Sequence, residues 1–199
     1  MLLGDNGDTF INKAQNTTMK SIKKFLSRLR GEQDISKLVK RGLKIGRNCQ
    51  LGSCLIDPSH CFHITIGDNV VFGPHVHILA HDTSTKAHLG YTRVANVSIG
   101  NNVFIGARSI VLPGVHIGDN VIIGAGSVVT HDIPASCVAL GVPAKVVKGL
   151  DDYLSTKRAE MKGENTFDES FTLRNPSFGP GHRKRLVEAC DKYGQIYIE

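Results

Sequence analysis

Histidine is the residue type whose spacing first suggests chemistry in this chain of 199 residues. Five of the nine histidines fall within one short segment, at His60, His63, His75, His77 and His81. A neutral imidazole can take a proton from a hydroxyl near neutral pH and later hand it to a leaving group. The segment is therefore a candidate for acid–base or metal chemistry. Which of the two it supports depends on how the fold places these histidines relative to one another.

The composition is that of an ordinary folded chain. Apolar residues make up 41% and charged residues 21%, with a net charge of +6, which excludes a mostly disordered protein. No run approaches the ~18 apolar residues of a transmembrane helix, and the start lacks a signal-peptide pattern, so we expect a cytoplasmic protein. The five cysteines form no C-x-x-C pair, which argues against disulfides and a structural zinc site.

A six-residue repeat dominates the middle of the chain. From position 99 an aliphatic residue recurs without a break, at Ile99, Ile105, Val111, Ile117, Ile123 and Val129. The same register appears upstream at Ile45, Leu51, Ile66, Phe72 and Ile78. This period fits neither an α-helix nor long alternating strands. It predicts short strands joined by tight corners at Gly and Asn, three to a triangular coil, which stack as a parallel β-helix.

The repeat is interrupted twice, and function concentrates where a solenoid is interrupted. After His81 the next hexad should begin at residue 84 but begins at Ile99, so residues 82–98 are predicted to form an extruded loop. A shorter interruption begins at Asp57, which we predict to lie one coil from His81 and to orient its ring. Asp82 is the alternative partner, and a turn before Pro58 is an equally simple role for Asp57.

Residues 43–148 resemble the hexapeptide-repeat family of acyltransferases. The segment ILAHDTSTK, with the loop after it, is similar in layout to the O-acetyltransferases that modify capsule, lipopolysaccharide and small sugars, including the maltose and galactoside enzymes. The resemblance implies a mainly β fold, a left-handed parallel β-helix, in a homotrimer with active sites between subunits. It also implies that His81 is the general base.

The end of the repeat closely resembles the coenzyme A segment of that family, in GAGSVVT, DIP and GVPAKVV. The resemblance implies acetyl-coenzyme A as the acyl donor, bound in a groove between neighbouring subunits. The matching positions are Ala107, Ala125, Thr130, His131, Lys145 and Lys148. Alanines let the pantetheine arm approach the backbone, and lysines suit the phosphates. His131 stands where the relatives carry a lysine.

These features predict direct transfer of acetyl to a hydroxyl of a sugar or polysaccharide precursor, assisted by His81. N-acetylation of an amino sugar and acetylation of a xenobiotic use the same base and stay open. A γ-class carbonic anhydrase would hold zinc on three histidines, two of them in an H-x-x-x-x-H pair. No two histidines from His60 to His88 have that spacing, so no metal is expected. A scaffold that binds no coenzyme A is the remaining class.

The two ends extend the β-helix, which we assign to residues 43–149. Residues 1–42 are predicted to form an extension and a basic amphipathic helical cap, with Ile22, Phe25, Leu26 and Leu29 on one face. Closing the end of the β-helix is its simpler role, and contact with an anionic membrane surface is the alternative. No nucleic-acid-binding motif accompanies the charge. Residues 150–199 are predicted to form a helical tail.

Overall fold

The computed structural model describes residues 33–199. Two compact units follow one another along the chain, the first ending at Leu150 and the second comprising Asp151–Glu199. The predicted amphipathic face at Ile22, Phe25, Leu26 and Leu29 lies outside the described residues. No helix in the described part of the chain is long and apolar enough to cross a bilayer.

The described part of the first unit is built from short strands, which form three larger sheets and one separate two-stranded sheet. In chain order these strands are β1 (Lys44–Ile45), β2 (Leu55–Ile56), β3 (Ile64–Ile66), β4 (Val71–Phe72), β5 (His77–Ile78), β6 (His81–Asp82), β7 (Arg93–Val94), β8 (Val97–Ile99), β9 (Phe104–Ile105), β10 (Ile110–Val111), β11 (His116–Ile117), β12 (Val121–Ile123), β13 (Val128–Val129), β14 (Cys137–Gly141) and β15 (Ala144–Gly149). The sheet orders are β1-β3-β8-β11, β13-β10-β5-β2 and β15-β14-β12-β9-β4. Each sheet is one face of a three-sided parallel β-helix, with β15 added antiparallel to β14.

The six-residue repeat sets the register of these sheets. Ile99 pairs with Ile117 on one face, and Ile105 with Ile123 on another. Each residue therefore meets its equivalent three hexads later, as the triangular coil requires. The first-position aliphatic side chains from Ile99 to Val129 point into the prism and are at most 2% exposed. Their burial supplies the hydrophobic stabilisation of this unit.

The corners of the coils are held by a column of asparagines. Asn48, Asn69, Asn102 and Asn120 all adopt φ values between 55° and 58°. Asparagine tolerates this left-handed conformation better than most residues. Each amide Nδ2 donates to the Oδ1 of the asparagine in the next coil, over 3.2, 2.9 and 3.0 Å. The column therefore gives the side-chain amides at these corners hydrogen-bond partners and links each coil to the next.

Two excursions break the regular coils, close to the places that the sequence indicates. The first runs from Asp57 through a 3-10 turn at Cys61–His63 to β3. The second leaves the prism at β6, includes the short helix α2 (Lys86–Leu89), and returns along β7. β6 and β7 pair antiparallel, with His81 opposite Val94. The pairing of Val97 with Ile64 then restores the regular register.

A short helix, α1 (Ile35–Lys40), precedes the first coil. Leu38 is 3% exposed and belongs to the core of the prism. The Gln33 side chain donates to the Ile56 carbonyl and accepts from the Ile56 N–H, each over 2.7 Å. The two hydrogen bonds of Gln33 therefore cover the outer edge of strand β2, which is the end strand of its sheet.

The second unit contains most of helix α3 (Leu150–Glu160), helix α4 (Pro180–Tyr193) and a two-stranded parallel sheet of β16 (Thr166–Phe167) and β17 (Tyr197–Ile198). Glu160 links its two ends through hydrogen bonds from Lys157, Gln195 and Tyr197. These bonds lower the pKa of the Glu160 carboxyl to about 2, so it is charged at neutral pH. The Phe171 ring is 9% exposed and packs against the ring of Phe167, with centroids 4.7 Å apart.

Candidate active site

Asp57 is a fully buried carboxylate at the end of strand β2. Its Oδ1 accepts the backbone N–H groups of Ser59 and His60 over 2.9 and 3.0 Å. An aspartate that accepts backbone bonds two and three residues ahead, before a proline, is a local turn-former. The turn before Pro58, the equally simple role predicted for Asp57, is therefore present, and it fixes the carboxylate in place.

The second oxygen of the same carboxylate faces the next coil. Asp57 Oδ2 accepts the backbone N–H of Ala80 over 3.1 Å and contacts Nδ1 of His81 through a short hydrogen bond. His81 lies at the root of the extruded loop, and its side chain is 28% exposed. The two candidates from sequence thus lie in direct contact, although 24 residues separate them along the chain.

The charge state of Asp57 follows from its partners. Burial raises the pKa of this carboxyl. The hydrogen bonds that it accepts from His81 and from the backbone of His60, Ala80 and Ser59 lower the pKa by more than burial raises it, so the pKa lies below its usual range. Asp57 is therefore ionised at neutral pH and can only accept hydrogen bonds. Nδ1 of His81 must then carry the proton, which leaves Nε2 as an acceptor. This is the tautomer that a general base requires.

His60 is a third member of the site; the sequence placed it in the histidine-rich segment but assigned it no role. Its ring centroid lies 4.7 Å from that of His81, and its Nδ1 is 3.9 Å from Asp57 Oδ1. This Nδ1 is the one buried side-chain nitrogen or oxygen without a hydrogen-bond partner among the described residues. The spacing of Asp57 and His60, three residues apart within one turn, was the signal that could have revealed it.

Aromatic rings extend the site outward along the 3-10 turn. The Phe62 ring is close to His63, with centroids 4.7 Å apart, and lies 6.0 Å from the ring of His60. Phe62 is 53% exposed. His63 Nδ1 forms a 2.7 Å hydrogen bond with Asn96 Oδ1, which joins the first excursion to the end of the second.

Asp82, the alternative partner of His81, serves its own loop. Its Oδ1 accepts the Ser84 N–H over 2.8 Å, and hydrogen bonds from Ser84 lower the pKa of its carboxyl. In strand β6, Asp82 lies opposite Arg93. Asp82 thus stabilises the start of the extruded loop, while Asp57 accepts the hydrogen bond from Nδ1 of the His81 ring.

Asp57, His60 and His81 also form a set of possible metal donors. One donor atom from each residue lies within 4.8 Å of the others. The set differs from a three-histidine zinc site, because one of its members is a carboxylate. Both Asp57 oxygens already accept two hydrogen bonds each. A metal would therefore have to displace bonds that the fold itself supplies.

The alanines assigned to the acyl donor occupy equivalent corners of neighbouring coils. The N–H of Gly126 donates to the carbonyl of Ala107 over 2.8 Å, which fixes one corner on the next. A Cβ built on Gly106 would lie 2.4 Å from the Ala125 nitrogen, so only glycine allows this close stacking. Ala125 is exposed and Ala107 partly so. Together they form a column of small side chains along one edge.

The basic candidates lie on the last strands of the β-helix. Lys145 and Lys148 are exposed on β15, opposite Leu140 and Val138 of β14. A Cβ on Gly124 would meet Leu140 Cβ at 2.7 Å, which brings this hairpin against the coil that carries Ala125.

Thr130 and His131 follow strand β13. The Thr130 hydroxyl and His131 Nδ1 form a 2.7 Å hydrogen bond with one another. The His131 side chain is exposed.

Several known proteins are similar to this chain. The family described as the hexapeptide repeat of succinyl-transferase matches residues 96–131. Protein CapG of Staphylococcus aureus is 40% identical over 139 residues, covering 66% of this chain and 80% of CapG. The galactoside O-acetyltransferase of Escherichia coli K12 is 40% identical over 118 residues, and the aligned part covers 55% of each protein.

A solved structure shows the same architecture. The maltose O-acetyltransferase of Clostridium difficile 630 superimposes with a TM-score of 0.50 at 32% identity, covering 64% of this chain and 83% of that one. The chain belongs to the hexapeptide-repeat acetyltransferase family and is an acyltransferase. Two further solved structures resemble part of the chain. One is a galactoside acetyltransferase in complex with coenzyme A, with a TM-score of 0.47 at 34% identity, covering 56% of this chain and 62% of that one. The other is a hexapeptide-repeat acetyltransferase of Vibrio cholerae complexed with acetyl-coenzyme A, with a TM-score of 0.44 at 24% identity, covering 53% of this chain and 64% of that one.

Proposed function

We propose that this protein transfers acetyl from acetyl-coenzyme A to a hydroxyl group of a sugar or polysaccharide precursor in the cytoplasm, as a homotrimer. His81 is the general base, and Asp57 is the positioning residue that orients it. The observation that carries the proposal is the buried Asp57 carboxylate on His81 Nδ1, at the root of the loop. Relatives named for O-acetylation of galactosides and maltose support a sugar acceptor.

The reaction requires one proton transfer in each direction. His81 Nε2 takes the hydroxyl proton as the acceptor oxygen forms a bond to the thioester carbonyl carbon. Asp57 stabilises the imidazolium that results, because its charge faces the opposite ring nitrogen. The bond between the carbonyl carbon and sulfur then breaks, and His81 returns the proton to the sulfur. The acetyl group passes directly to the acceptor without a covalent enzyme intermediate.

The donor side of the proposal rests on the last coils. The column of Ala107 and Ala125 offers a surface that a pantetheine arm can approach closely. Lys145 and Lys148 are exposed cations suited to the phosphate groups of the nucleotide end. Thr130 and His131 are assigned to the same end. In a homotrimer this edge would face a neighbouring subunit, and the groove between the two would hold the donor.

A panel of acceptors tests the function. The purified full chain is incubated with acetyl-coenzyme A and with maltose, methyl galactosides, methyl glucosides, glucosamine and a neutral control lacking hydroxyls. Products are identified by mass spectrometry, and thiol release is followed in parallel. We expect O-acetylated sugars and one thiol released per acetyl transferred. Acetylation of glucosamine on nitrogen alone would overturn the hydroxyl assignment, and the absence of any acetylated product would overturn the proposed function.

A further inference from the structure

Two imidazole rings share one buried carboxylate in this site. Asp57 Oδ2 accepts from Nδ1 of His81, and Asp57 Oδ1 lies 3.9 Å from Nδ1 of His60. The two rings are tilted by 39° with their centroids 4.7 Å apart. The His81 ring is the proposed general base, whereas the His60 ring has no role in the proposed reaction.

The buried Nδ1 of His60 requires an explanation. A buried polar atom without a partner is costly, and each such atom in a native protein calls for an explanation such as a functional role. The nearest charged acceptor is Asp57 Oδ1, and hydrogen bonds in an unliganded active site are often long and tighten when the ligand binds. A proton on His60 Nδ1 would therefore point to the carboxylate and leave Nε2 as an acceptor.

We propose that His60 binds a second hydroxyl of the acceptor, next to the hydroxyl that His81 deprotonates. This inference rests on the proposed function and narrows its substrate class to a vicinal diol, as found on a sugar ring. His60 Nε2 accepts a hydrogen bond from the neighbouring hydroxyl, while His81 Nε2 accepts the reacting one. Asp57 holds the His81 ring in this tautomer. When the acceptor binds, the contact between His60 Nδ1 and Asp57 Oδ1 would shorten and favour the same tautomer of His60.

The surroundings of His60 fit this role. Its side chain is 29% exposed and that of His81 is 28% exposed, so both rings can reach a ligand. The exposed Phe62 ring, 6.0 Å from His60, continues the same surface and can contact the apolar face of a sugar. Ligand sites in proteins commonly combine a few convergent polar groups with apolar and aromatic side chains, and the surface around His60 presents both.

The inference predicts a specific coupling between enzyme and substrate. An acceptor that the wild type acetylates is compared with the two deoxy analogues that each lack one hydroxyl beside the acetylated position. One analogue should lose roughly ten- to hundredfold in kcat/KM. His60→Ala should lose a similar factor on the parent sugar and nothing further on that analogue. An equal loss on the parent and the analogue would show a merely structural role, and no loss on the parent would also overturn the inference.

Two further variants keep the test sharp. His63→Ala removes a neighbouring histidine of the same 3-10 turn and should not remove the preference for the vicinal hydroxyl. His60→Gln keeps an acceptor oxygen and should retain part of that preference even if His60→Ala folds poorly. Activity on sugars with no dependence on His60 would overturn this inference alone. Failure to acetylate any sugar would remove the proposed function and this inference with it.

A readout besides activity tests the shared carboxylate. Ring-nitrogen NMR of histidine-labelled protein should show His60 and His81 protonated at Nδ1 and free at Nε2, and Asp57→Asn should change both. A His60 ring protonated at Nε2, with Nδ1 free, would overturn the inference. Stoichiometric zinc in the purified protein that His60→Ala removes would overturn it as well, because a metal would then explain the buried nitrogen.

Discussion

At the scale of single residues, the site depends on one carboxylate that the fold builds before any ligand arrives. Four hydrogen bonds hold Asp57, and three of them come from backbone N–H groups, two in its own turn and one at Ala80, the residue before His81. Backbone donors are fixed by the fold, so the orientation of the His81 ring costs no reorganisation at the moment of reaction.

Asp57→Asn tests the positioning role. The amide fills the same space but presents no charge to the imidazolium, and it can hold the ring in the wrong tautomer. We expect kcat to fall by about 10²–10⁴ with little change in KM for acetyl-coenzyme A. Asp68→Asn, which removes an exposed carboxylate paired with Arg47, is the control and should leave kcat unchanged. Wild-type kcat in Asp57→Asn would contradict the assignment.

The lowered pKa of Asp57 makes stability depend on pH in a defined direction. Its carboxyl has a lower pKa in the folded protein than in the unfolded chain. The stabilisation is therefore complete above the unfolded value, near pH ~4, and is lost as pH falls through the folded value. Urea unfolding of the wild type and of Asp57→Asn should give free energies that converge as pH falls from 6 to 3. A gap that stays constant over this range would contradict the lowered pKa.

The sequence could predict part of this site. The period of six brings the end of one hexad beneath the equivalent point of a later coil, which is why Asp57 was expected near His81. The role of His60 could not be read from the repeat, because it lies in the interruption, where the register gives no geometry. Its position depends on the turn that Asp57 itself forms.

At the scale of elements, the asparagine column explains why coils with so few residues per strand remain ordered. Asn102 has φ 55° and exchanges amide hydrogen bonds with Asn69 and Asn120. Most strands here contain two or three residues, so the course of the chain depends strongly on the backbone conformation at the corners. The position of Asn two residues after Gly in several hexads predicted these corners from the sequence alone.

Substitutions at Asn102 separate backbone strain from side-chain bonding. Asn102→Ala should destabilise the protein by about 1–2 kcal/mol from the left-handed conformation, plus the loss of the amide bonds. Asn102→Gly removes the same amide but tolerates positive φ, so it should be the more stable of the two. Thermal unfolding monitored by circular dichroism ranks the variants. A glycine variant no more stable than the alanine variant would contradict the corner strain.

At the scale of the whole molecule, the proposed donor site consists of coil corners at Ala107 and Ala125 and of the exposed face of strand β15. The sequence predicted its residues by resemblance, because small and basic side chains on a solenoid surface have no distinctive period. The repeat describes the packing within one chain, so neither the acceptor nor the subunit arrangement could be predicted from its period. The homotrimer therefore stays a prediction, which analytical ultracentrifugation of the full chain tests.

Lys145→Ala combined with Lys148→Ala tests the donor site. Removing two cations next to the proposed phosphate position should weaken acetyl-coenzyme A binding by about tenfold or more, and less so at high salt. Isothermal titration calorimetry measures this, with one site per subunit expected in the wild type. Lys184→Ala, which changes an exposed lysine of helix α4, is the control. Unchanged affinity in the double variant would contradict the placement of the phosphates.

His81 is proposed as the base for acetyl transfer, and kcat of His81→Ala at saturating acetyl-coenzyme A tests this role. Calorimetry first confirms that the variant still binds the donor, so that any loss lies in the chemical step. We expect kcat to fall by about 10²–10⁴ while donor affinity stays within a few-fold of the wild type. A variant that binds the donor and retains wild-type kcat would contradict the assignment of His81.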